Sequence, residues 1–346
     1  MTSVAVAGAL AAKAGNGGEA WVRLSYALGL RRLGCDVRLV EEVDDPTPQA
    51  LDYARAVAAA FGLDYTPADG ADEGGDLLVN ISGNLRSPVL RRRFRRTAFV
   101  DVDPGFTQFW HEYGLAPIDS HDAYFTISAN VGWRGCAIPT CGLEWRRTQP
   151  PVVLDEWPVV DGGFDRFTTV ATWRSSFGSI PPYGLKHHEW RKFLDLPGRT
   201  RLPFEVALRI DAADASDRNA LETHGWRLVA PEVASDPVHF RRYLQTSAAE
   251  FSVAQGIYVE TKSGWFSDRS VRYLASGRPV LVQDTGLRRT LPVGEGLLAF
   301  RTLDEAAAGA RTIAHDYERQ ARAARRIAEE HFDSGPVLRR LLEDVL

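Results

Sequence analysis

Residues 261 to 282 contain the strongest signal for chemistry, a set of residue types that suits an anion-binding helix start. Ser267 is a preferred N-cap residue, and Gly277 ends the helical pattern that follows it. The free backbone N–H groups and the positive end of such a helix attract negative charge, which Lys262 and Arg269 reinforce. We predict that a diphosphate binds here, at Lys262, Ser267, Asp268, Arg269 and Ser270. An ordinary capped helix without a ligand is the alternative that this loop alone leaves open.

A second candidate is the glycine-rich loop Gly15-Asn16-Gly17-Gly18, which follows the predicted first strand at residues 4–10. Glycines let a ligand approach the backbone closely, and a loop between a strand and a helix is a usual ligand site in open parallel sheets. The loop lacks the G-x-G-x-x-G order of dinucleotide-binding proteins. A glycine-rich turn that binds nothing is therefore equally compatible with the sequence.

Short apolar runs alternate with amphipathic stretches, and this alternation predicts how the two loops are positioned. A strand at residues 4–10, a helix at 18–33 and a strand at 36–40 form a strand–helix–strand unit. Further strands are predicted at residues 76–81, 98–102 and 124–128. The fold class is therefore α/β, with a doubly wound parallel sheet.

A proline-containing segment interrupts this alternation and divides the chain. Residues 146–163 contain Pro150, Pro151 and Pro158 without a helical period, so we predict a linker there. A second alternation follows, with strands predicted at residues 167–173, 204–210, 226–230, 250–253 and 279–283. Because 346 residues suffice for two cores, we predict two Rossmann-like domains, residues 1–145 and 164–330. Residues 331–346 are predicted as a C-terminal helix that can pack back across the domains.

The segment Ala275-Ser276-Gly277-Arg278-Pro279-Val280 resembles the A-x-G-x-P-V step of glycosyltransferases with two facing Rossmann-like domains, the GT-B fold. In that family the step follows the helix that binds the donor diphosphate. The resemblance implies that Gly17 and Gly18 face the donor across a cleft, and that Arg174 and Lys186 neutralise the diphosphate. It further implies transfer of a sugar from a nucleotide-diphosphate sugar to a hydroxyl or amine of a natural product or glycan. The nucleotide sugar would be a co-substrate, and no cofactor or metal would be required.

The chain departs from this family at one motif. When the chain is aligned on Gly277, the two glutamates of the E-x7-E pattern of many retaining members fall at Gly264 and Arg272. The sequence therefore predicts neither the ribose contact nor the retaining stereochemistry. Asp268 is an alternative acceptor for ribose or sugar hydroxyls, although an acidic residue in the first helical turn is also a common partner of the helix dipole.

Candidate catalytic residues follow the strand predicted at residues 98–102. An acceptor hydroxyl is a poor nucleophile, so an inverting reaction needs a general base. His111 is the first candidate for this base and Asp103 the second. The spacing Asp101-x-Asp103 also matches the D-x-D metal site of the other main glycosyltransferase fold, but the double alternation argues against that fold.

Composition limits the partners and the compartment. A formal charge of -4 and a pI near 6.1 lack the basic excess that nucleic-acid binding requires, so nucleic acid is not predicted as a partner. The arginine-rich run at residues 91–96 is predicted as the solvated face of a helix. No stretch approaches the ~20 apolar residues of a membrane span. Three cysteines form no even disulfide framework, which predicts a reducing, cytoplasmic location.

Two other functions remain compatible with the sequence. A nucleotide-sugar epimerase uses the same two-domain architecture without an acceptor. A non-catalytic nucleotide-sugar binding protein would hold the donor and never release the nucleoside diphosphate.

Overall fold

The computed structural model describes residues 1–68, 74–118, 120–174 and 180–346. The first part of the chain forms a seven-stranded parallel sheet. Its strands are β1 (Ser3–Ala7), β2 (Asp36–Glu41), β3 (Asp64–Pro67), β4 (Gly75–Ile81), β5 (Phe94–Asp101), β6 (Ala123–Thr126) and β7 (Trp145–Arg147). Their spatial order is β3-β2-β1-β4-β5-β6-β7, so the order reverses between β1 and β4. Its helices are α1 (Gly17–Arg32), α2 (Pro48–Ala60), α3 (Pro88–Arg91) and α4 (Phe106–Glu112).

The second part forms a separate six-stranded parallel sheet. Its strands are β8 (Phe167–Thr172), β9 (Phe204–Arg209), β10 (Trp226–Val229), β11 (Ala249–Ser252), β12 (Val280–Gln283) and β13 (Leu297–Phe300). The order is β10-β9-β8-β11-β12-β13, with the reversal between β8 and β11. Its helices are α5 (Lys186–Arg191), α6 (Leu196–Thr200), α7 (Ala215–Thr223), α8 (Pro237–Gln245), α9 (Gly256–Glu260) and α10 (Asp268–Ala275). Helices α11 (Leu303–His315), α12 (Tyr317–His331) and α13 (Ser334–Val345) complete the chain.

This architecture confirms the predicted α/β class, with two Rossmann-like doubly wound sheets and a helical C-terminus. Each predicted strand is present within a few residues of its predicted bounds. The sequence pattern missed β3, β7 and β13. β3 and β7 are edge strands whose residues are half-buried or exposed, so they lack the apolar run that identifies a central strand.

The interpretation of the arginine-rich run was wrong. Helix α3 ends at Arg91, and β5 begins at Phe94, so Arg95 and Arg96 lie in a strand. Their side chains are exposed, but the backbone continues the pairing with β4, where Arg96 lies opposite Leu77. Backbone pairing therefore extends this strand beyond its buried part, which side-chain polarity does not reveal.

Helix α1 connects the two halves of the molecule. Trp21 is fully buried, and its indole N–H donates to the carbonyl of Pro237 in the second domain at 2.8 Å. On another face, α13 returns from the end of the chain to pack on α1. A methyl group at Gly29 would lie 2.4 Å from Leu338 Cδ1, so this close helix contact needs a glycine. These contacts fix the first domain against the second around one cleft.

No helix of the described residues is both long and apolar enough to cross a membrane.

Candidate functional site

A cleft of about 260 Å³ lies between the two domains at the carboxyl ends of their strands. The first domain contributes the loop between β1 and α1, including Gly15, Gly18 and Glu19. The second domain contributes residues that follow β8 and β11, together with the start of α10: Lys186, Gln255, Asp268 and Arg269. This is the position at which open parallel sheets usually bind ligands.

The start of α10 opens into this cleft. Ser267 is the N-cap, as predicted, and its Oγ accepts a hydrogen bond from the N–H of Arg269 at 3.2 Å. Asp268 and Arg269 line the cleft, whereas Ser267 and Ser270 are buried behind them. The positive end of α10 therefore faces the first domain across an open space.

The glycine-rich loop is held in place by α8. Gly17 is buried, and a methyl group there would lie 2.2 Å from the carbonyl oxygen of Asp236, so only glycine allows this approach. The side chain of Asn16 caps α1 by accepting from the N–H of Glu19 at 3.2 Å. As a result Gly18 lines the cleft, whereas Gly17 packs at the contact between the domains.

Lys186 is the first residue of α5 and brings an amine to the cleft. Burial, and secondly the nearby guanidinium of Arg269, lower the pKa of Lys186 to about 7. No hydrogen bond or ion pair joins this amine to another described residue, so an anionic ligand in the cleft would be its first ionic partner.

Arg269 has a different role from the one its sequence position indicates. Its Nε donates to Glu250 Oε1 at 2.6 Å, Nη1 to the carbonyl of Val170 at 2.9 Å, and Nη2 to Ser252 Oγ at 2.9 Å. The guanidinium thereby ties α10 to β8 and β11. Its positive charge borders the cleft, but its donors are directed into the protein.

Two other predicted donor contacts lie outside the residues that line the cleft. Arg174 forms a fork with Asp214, Nε to Oδ2 at 2.8 Å and Nη2 to Oδ1 at 2.6 Å. Lys262 has an exposed side chain, and its carbonyl accepts from Asn130 Nδ2 at 2.8 Å, which joins the two domains. Their contact with a donor stays a prediction.

A larger cavity of about 860 Å³ lies at the carboxyl edge of the first sheet. One wall is apolar and consists of Trp110, Leu115, Pro117 and Ile118. Another wall carries carboxylates, those of Glu42, Asp44 and Asp45. Lys13 borders both this cavity and the interdomain cleft, so the two spaces adjoin.

Of the two predicted bases, Asp103 lines this cavity and His111 does not. His111 Nδ1 accepts a hydrogen bond from the N–H of Ile118 at 2.9 Å, which uses that nitrogen to hold the loop after α4. Burial, then the charges of Glu19 and Asp101, raise the pKa of Asp103 to about 7. The hydroxyl of Tyr258, from the second domain, donates to Asp103 Oδ1 at 3.3 Å.

The first aspartate of the D-x-D spacing is saturated by protein groups. Asp101 is fully buried and accepts from Gln108 Nε2 at 2.9 Å and from the hydroxyls of Thr107 and Thr126, each at 2.8 Å. Asp101 therefore organises the end of β5 and orients the loop that carries Asp103. Within the described part of the chain, no group of three His, Cys, Asp or Glu side chains could hold a metal ion.

Two ion pairs at the cleft were not anticipated as site features. Glu19 pairs with Arg23 one turn further along α1, and Asp268 pairs in the same way with Arg272 on α10. The i, i+4 spacing of opposite charges was visible in the sequence. That Glu19, Asp268 and Arg272 border one small chamber between the domains, together with Asp103, was not visible in the sequence.

Structural comparison identifies the fold, although no family model and no curated protein matches the sequence. The chain is similar to HepE from Anabaena in complex with UDP-glucose, with a TM-score of 0.67, 10% identity and 99% coverage of both chains. It is also similar to AviGT4, a glycosyltransferase of avilamycin A biosynthesis, with a TM-score of 0.64, 14% identity, and 99% of this chain and 97% of that one covered.

A third similar structure is sucrose-phosphate synthase from Thermosynechococcus elongatus, with a TM-score of 0.60, 12% identity and 99% coverage of both chains. The protein therefore has the GT-B fold, as the A-x-G-x-P-V step implied. At these identities the comparison establishes the architecture, and the activity must be argued from the site.

Proposed function

We propose that the protein is a glycosyltransferase that moves a hexosyl group from a nucleotide-diphosphate sugar to a hydroxyl or amine of a small acceptor. The observation that carries this proposal is the cleft in which the start of α10 and the amine of Lys186 face the glycine-rich loop of the other domain. A positive helix end and a half-buried amine together suit a diphosphate. The complexes of HepE with UDP-glucose and with UDP favour a uridine nucleotide.

Catalysis would be mainly electrostatic. As the bond between sugar and phosphate breaks, negative charge grows on the leaving nucleoside diphosphate. The N–H groups at the start of α10 and the amine of Lys186 would stabilise this charge, with the field of Arg269 in support. These groups would allow transfer without a bound metal, and the nucleotide sugar would act as co-substrate with no further cofactor.

The adjoining cavity of about 860 Å³ is proposed as the acceptor site. Its volume suits a drug-sized molecule, and its apolar wall with a few polar groups is typical of small-molecule sites. The formal charge of -4 disfavours nucleic acid as the acceptor, although one similar structure is an alpha-glucosyltransferase in complex with DNA. A small natural product or a short glycan is therefore the proposed acceptor class.

Asp103 is the proposed general base. It lines the acceptor cavity, and a pKa of about 7 suits a group that takes a proton from an acceptor hydroxyl near neutral pH. His111 stays the alternative, with its Nδ1 already hydrogen-bonded to the backbone. The three cysteines are unpaired, which supports the proposal of a cytoplasmic location.

Thermal unfolding with UDP, GDP, dTDP and ADP tests the donor site. A ligand at 100 times its Kd adds about 2.7 kcal/mol of stability, so one of the four should raise the Tm clearly. We expect Lys186→Met to remove most of this increase. If none of the four nucleotides stabilises the protein, the donor site is refuted.

A second experiment separates the three functions that share this donor site. The protein is incubated with a UDP-sugar, first alone and then with a panel of small alcohols, amines and glycans. A transferase releases UDP slowly without acceptor and faster with the right one. Conversion of the donor sugar without acceptor would instead indicate an epimerase, and tight binding without UDP release would indicate a non-catalytic binding protein.

A further inference from the structure

The interdomain cleft contains hydrogen-bond acceptors that no protein donor satisfies. Glu19 and Asp268 stand on opposite domains, and both line the cleft. One carboxylate oxygen of each, Oε2 of Glu19 and Oδ2 of Asp268, is held by an arginine one turn later. These arginines, Arg23 and Arg272, are only 4% and 1% exposed, so both carboxylates are fixed in orientation.

The second oxygen of each carboxylate has no hydrogen-bond donor in the part of the chain that the structure describes. Oε1 of Glu19 and Oδ1 of Asp268 accept no hydrogen bond from any described residue, and neither residue has a charged partner other than its arginine. Close by, the Oε1 atom of Gln255 is buried, lines the same cleft and also accepts no hydrogen bond from the described chain. Three acceptors with free lone pairs thus border one space.

A ligand that fills this part of the cleft must donate hydrogen bonds. Leaving such acceptors desolvated and unpaired costs about 1–3 kcal/mol each, and more for a carboxylate. A phosphate cannot satisfy them, because it offers acceptors and negative charge. Sugar hydroxyls can, since two neighbouring hydroxyls of a pyranose donate readily to fixed carboxylates.

Gly264 gives independent support, because it has no space for the side chain that E-x7-E sequences have at this position. A Cβ atom there would lie 2.8 Å from Asn130 Cγ, and the φ of +71° is unfavourable for a residue other than glycine. A glutamate cannot enter here without displacing the side chain of Asn130 and straining the backbone. Recognition of the sugar must therefore use other carboxylates.

We propose that Glu19, from the first domain, and Asp268, from the second, bind the hydroxyl groups of the transferred sugar. The cleft is then divided in two: Lys186 and the start of α10 bind the diphosphate, and the carboxylates with Gln255 bind the sugar. A carboxylate on the sugar cannot donate a hydrogen bond to these oxygens, so the donor sugar is an uncharged hexose and not a uronic acid. This inference rests on the proposed function.

Isothermal titration with UDP, UDP-glucose, UDP-galactose and the two matching uronates, UDP-glucuronate and UDP-galacturonate, tests the proposal. We expect at least one neutral UDP-hexose to bind more tightly than UDP, and each uronate to bind ~10-fold or more weakly than its neutral counterpart. In Glu19→Gln and Asp268→Asn, the UDP-hexose should lose ~10-fold in affinity, whereas the Kd for UDP itself should change less than about twofold.

Glu222→Gln is the matched control, because this glutamate is exposed on α7 and lies outside both cavities. Binding of UDP by each variant shows that its donor site is folded. Equal affinity for hexose and uronate donors, or equal loss of UDP and UDP-hexose affinity in the variants, would overturn the sugar assignment alone. Failure of the wild-type protein to bind UDP and every UDP-sugar would overturn the proposed uridine donor, and the inference with it.

Discussion

Arg269 and Glu250 form an ion pair inside the second domain, with 2.6 Å between Nε and Oε1. The carboxylate of Glu250 is fully buried, and the arginine side chain is 14% exposed. The pair stands directly behind the cleft, at the point where β8 and β11 diverge. An arginine that the sequence indicated as a ligand for phosphate is therefore also a structural tie beneath the site.

This relationship predicts that Arg269→Ala affects stability as well as turnover. Removing one partner of a buried ion pair leaves an unpaired charge, and we expect a loss of about 3–5 kcal/mol in the free energy of unfolding by urea. Turnover should also fall, by ~10²–10³. The exposed pair of Arg55 with Asp52 on α2 is the comparison, and Arg55→Ala should cost under about 1 kcal/mol. Wild-type stability in Arg269→Ala would contradict the structural role.

The depressed pKa of Lys186 predicts a pH dependence of nucleotide binding. In the free protein the amine is charged below a pKa of about 7 and neutral above it. A bound diphosphate favours the charged form, so binding takes up a proton above pH 7. The Kd for UDP should therefore rise by up to tenfold per pH unit between about pH 7 and 9.

Substitution of Lys186 isolates this effect. Lys186→Arg keeps the charge but does not titrate in this range, so its Kd for UDP should be nearly independent of pH from 7 to 9. Lys186→Met should bind UDP weakly at every pH. Titration calorimetry in buffers of different ionisation enthalpy measures the proton uptake directly. A wild-type Kd that is constant from pH 7 to 9 would exclude Lys186 as a titrating ligand.

The raised pKa of Asp103 predicts the acid limb of the rate profile. A base must be deprotonated, so kcat/KM should rise with pH and level off above the pKa of about 7. Asp103→Asn should lower kcat by ~10²–10⁴ and leave the Kd for UDP unchanged. Tyr258→Phe removes a hydrogen bond that favours the carboxylate, so the acid limb should shift to higher pH. If His111→Asn abolishes turnover while Asp103→Asn does not, the base is His111.

The contact of Gly17 with Asp236 predicts a steric effect on the domain interface. A methyl group at Gly17 would lie 2.2 Å from the Asp236 carbonyl oxygen, so Gly17→Ala should destabilise the protein by about 1–3 kcal/mol and weaken UDP binding. Gly198→Ala, in α6, has no atom within 4 Å of the added methyl group and should be neutral or slightly stabilising. An unchanged Tm and an unchanged Kd for UDP in Gly17→Ala would show that the contact between the domains can adjust to the added methyl group.

Local physics allowed much of the fold to be predicted from the sequence. The apolar runs of the central strands, the N-cap at Ser267 and the glycine that ends α10 each depend on neighbours in the chain, and the structure contains all of them. The sequence pattern did not predict the edge strands β3 and β7, because they are held by backbone hydrogen bonds to a neighbouring strand and lack an apolar run. The A-x-G-x-P-V step implied the GT-B fold, because that motif joins the end of α10 to the start of β12 within one short segment.

The partners of the site side chains depended on tertiary structure. The sequence predicted the same role, a cation near the donor phosphate, for Arg269, Arg174 and Lys262. In the structure Arg269 pairs with Glu250 and Arg174 pairs with Asp214, whereas the side chain of Lys262 is exposed near the contact between the domains. Among the predicted cations, Lys186 lines the cleft and has no hydrogen bond or ion pair with another residue of the described chain. Likewise Glu19 and Asp268 line the same cleft although they are far apart in sequence. Local propensity determines the helices and strands, whereas distant segments had to meet before Arg269 found Glu250 and before Glu19 and Asp268 came to line one cleft, and that step decided the chemistry of this site.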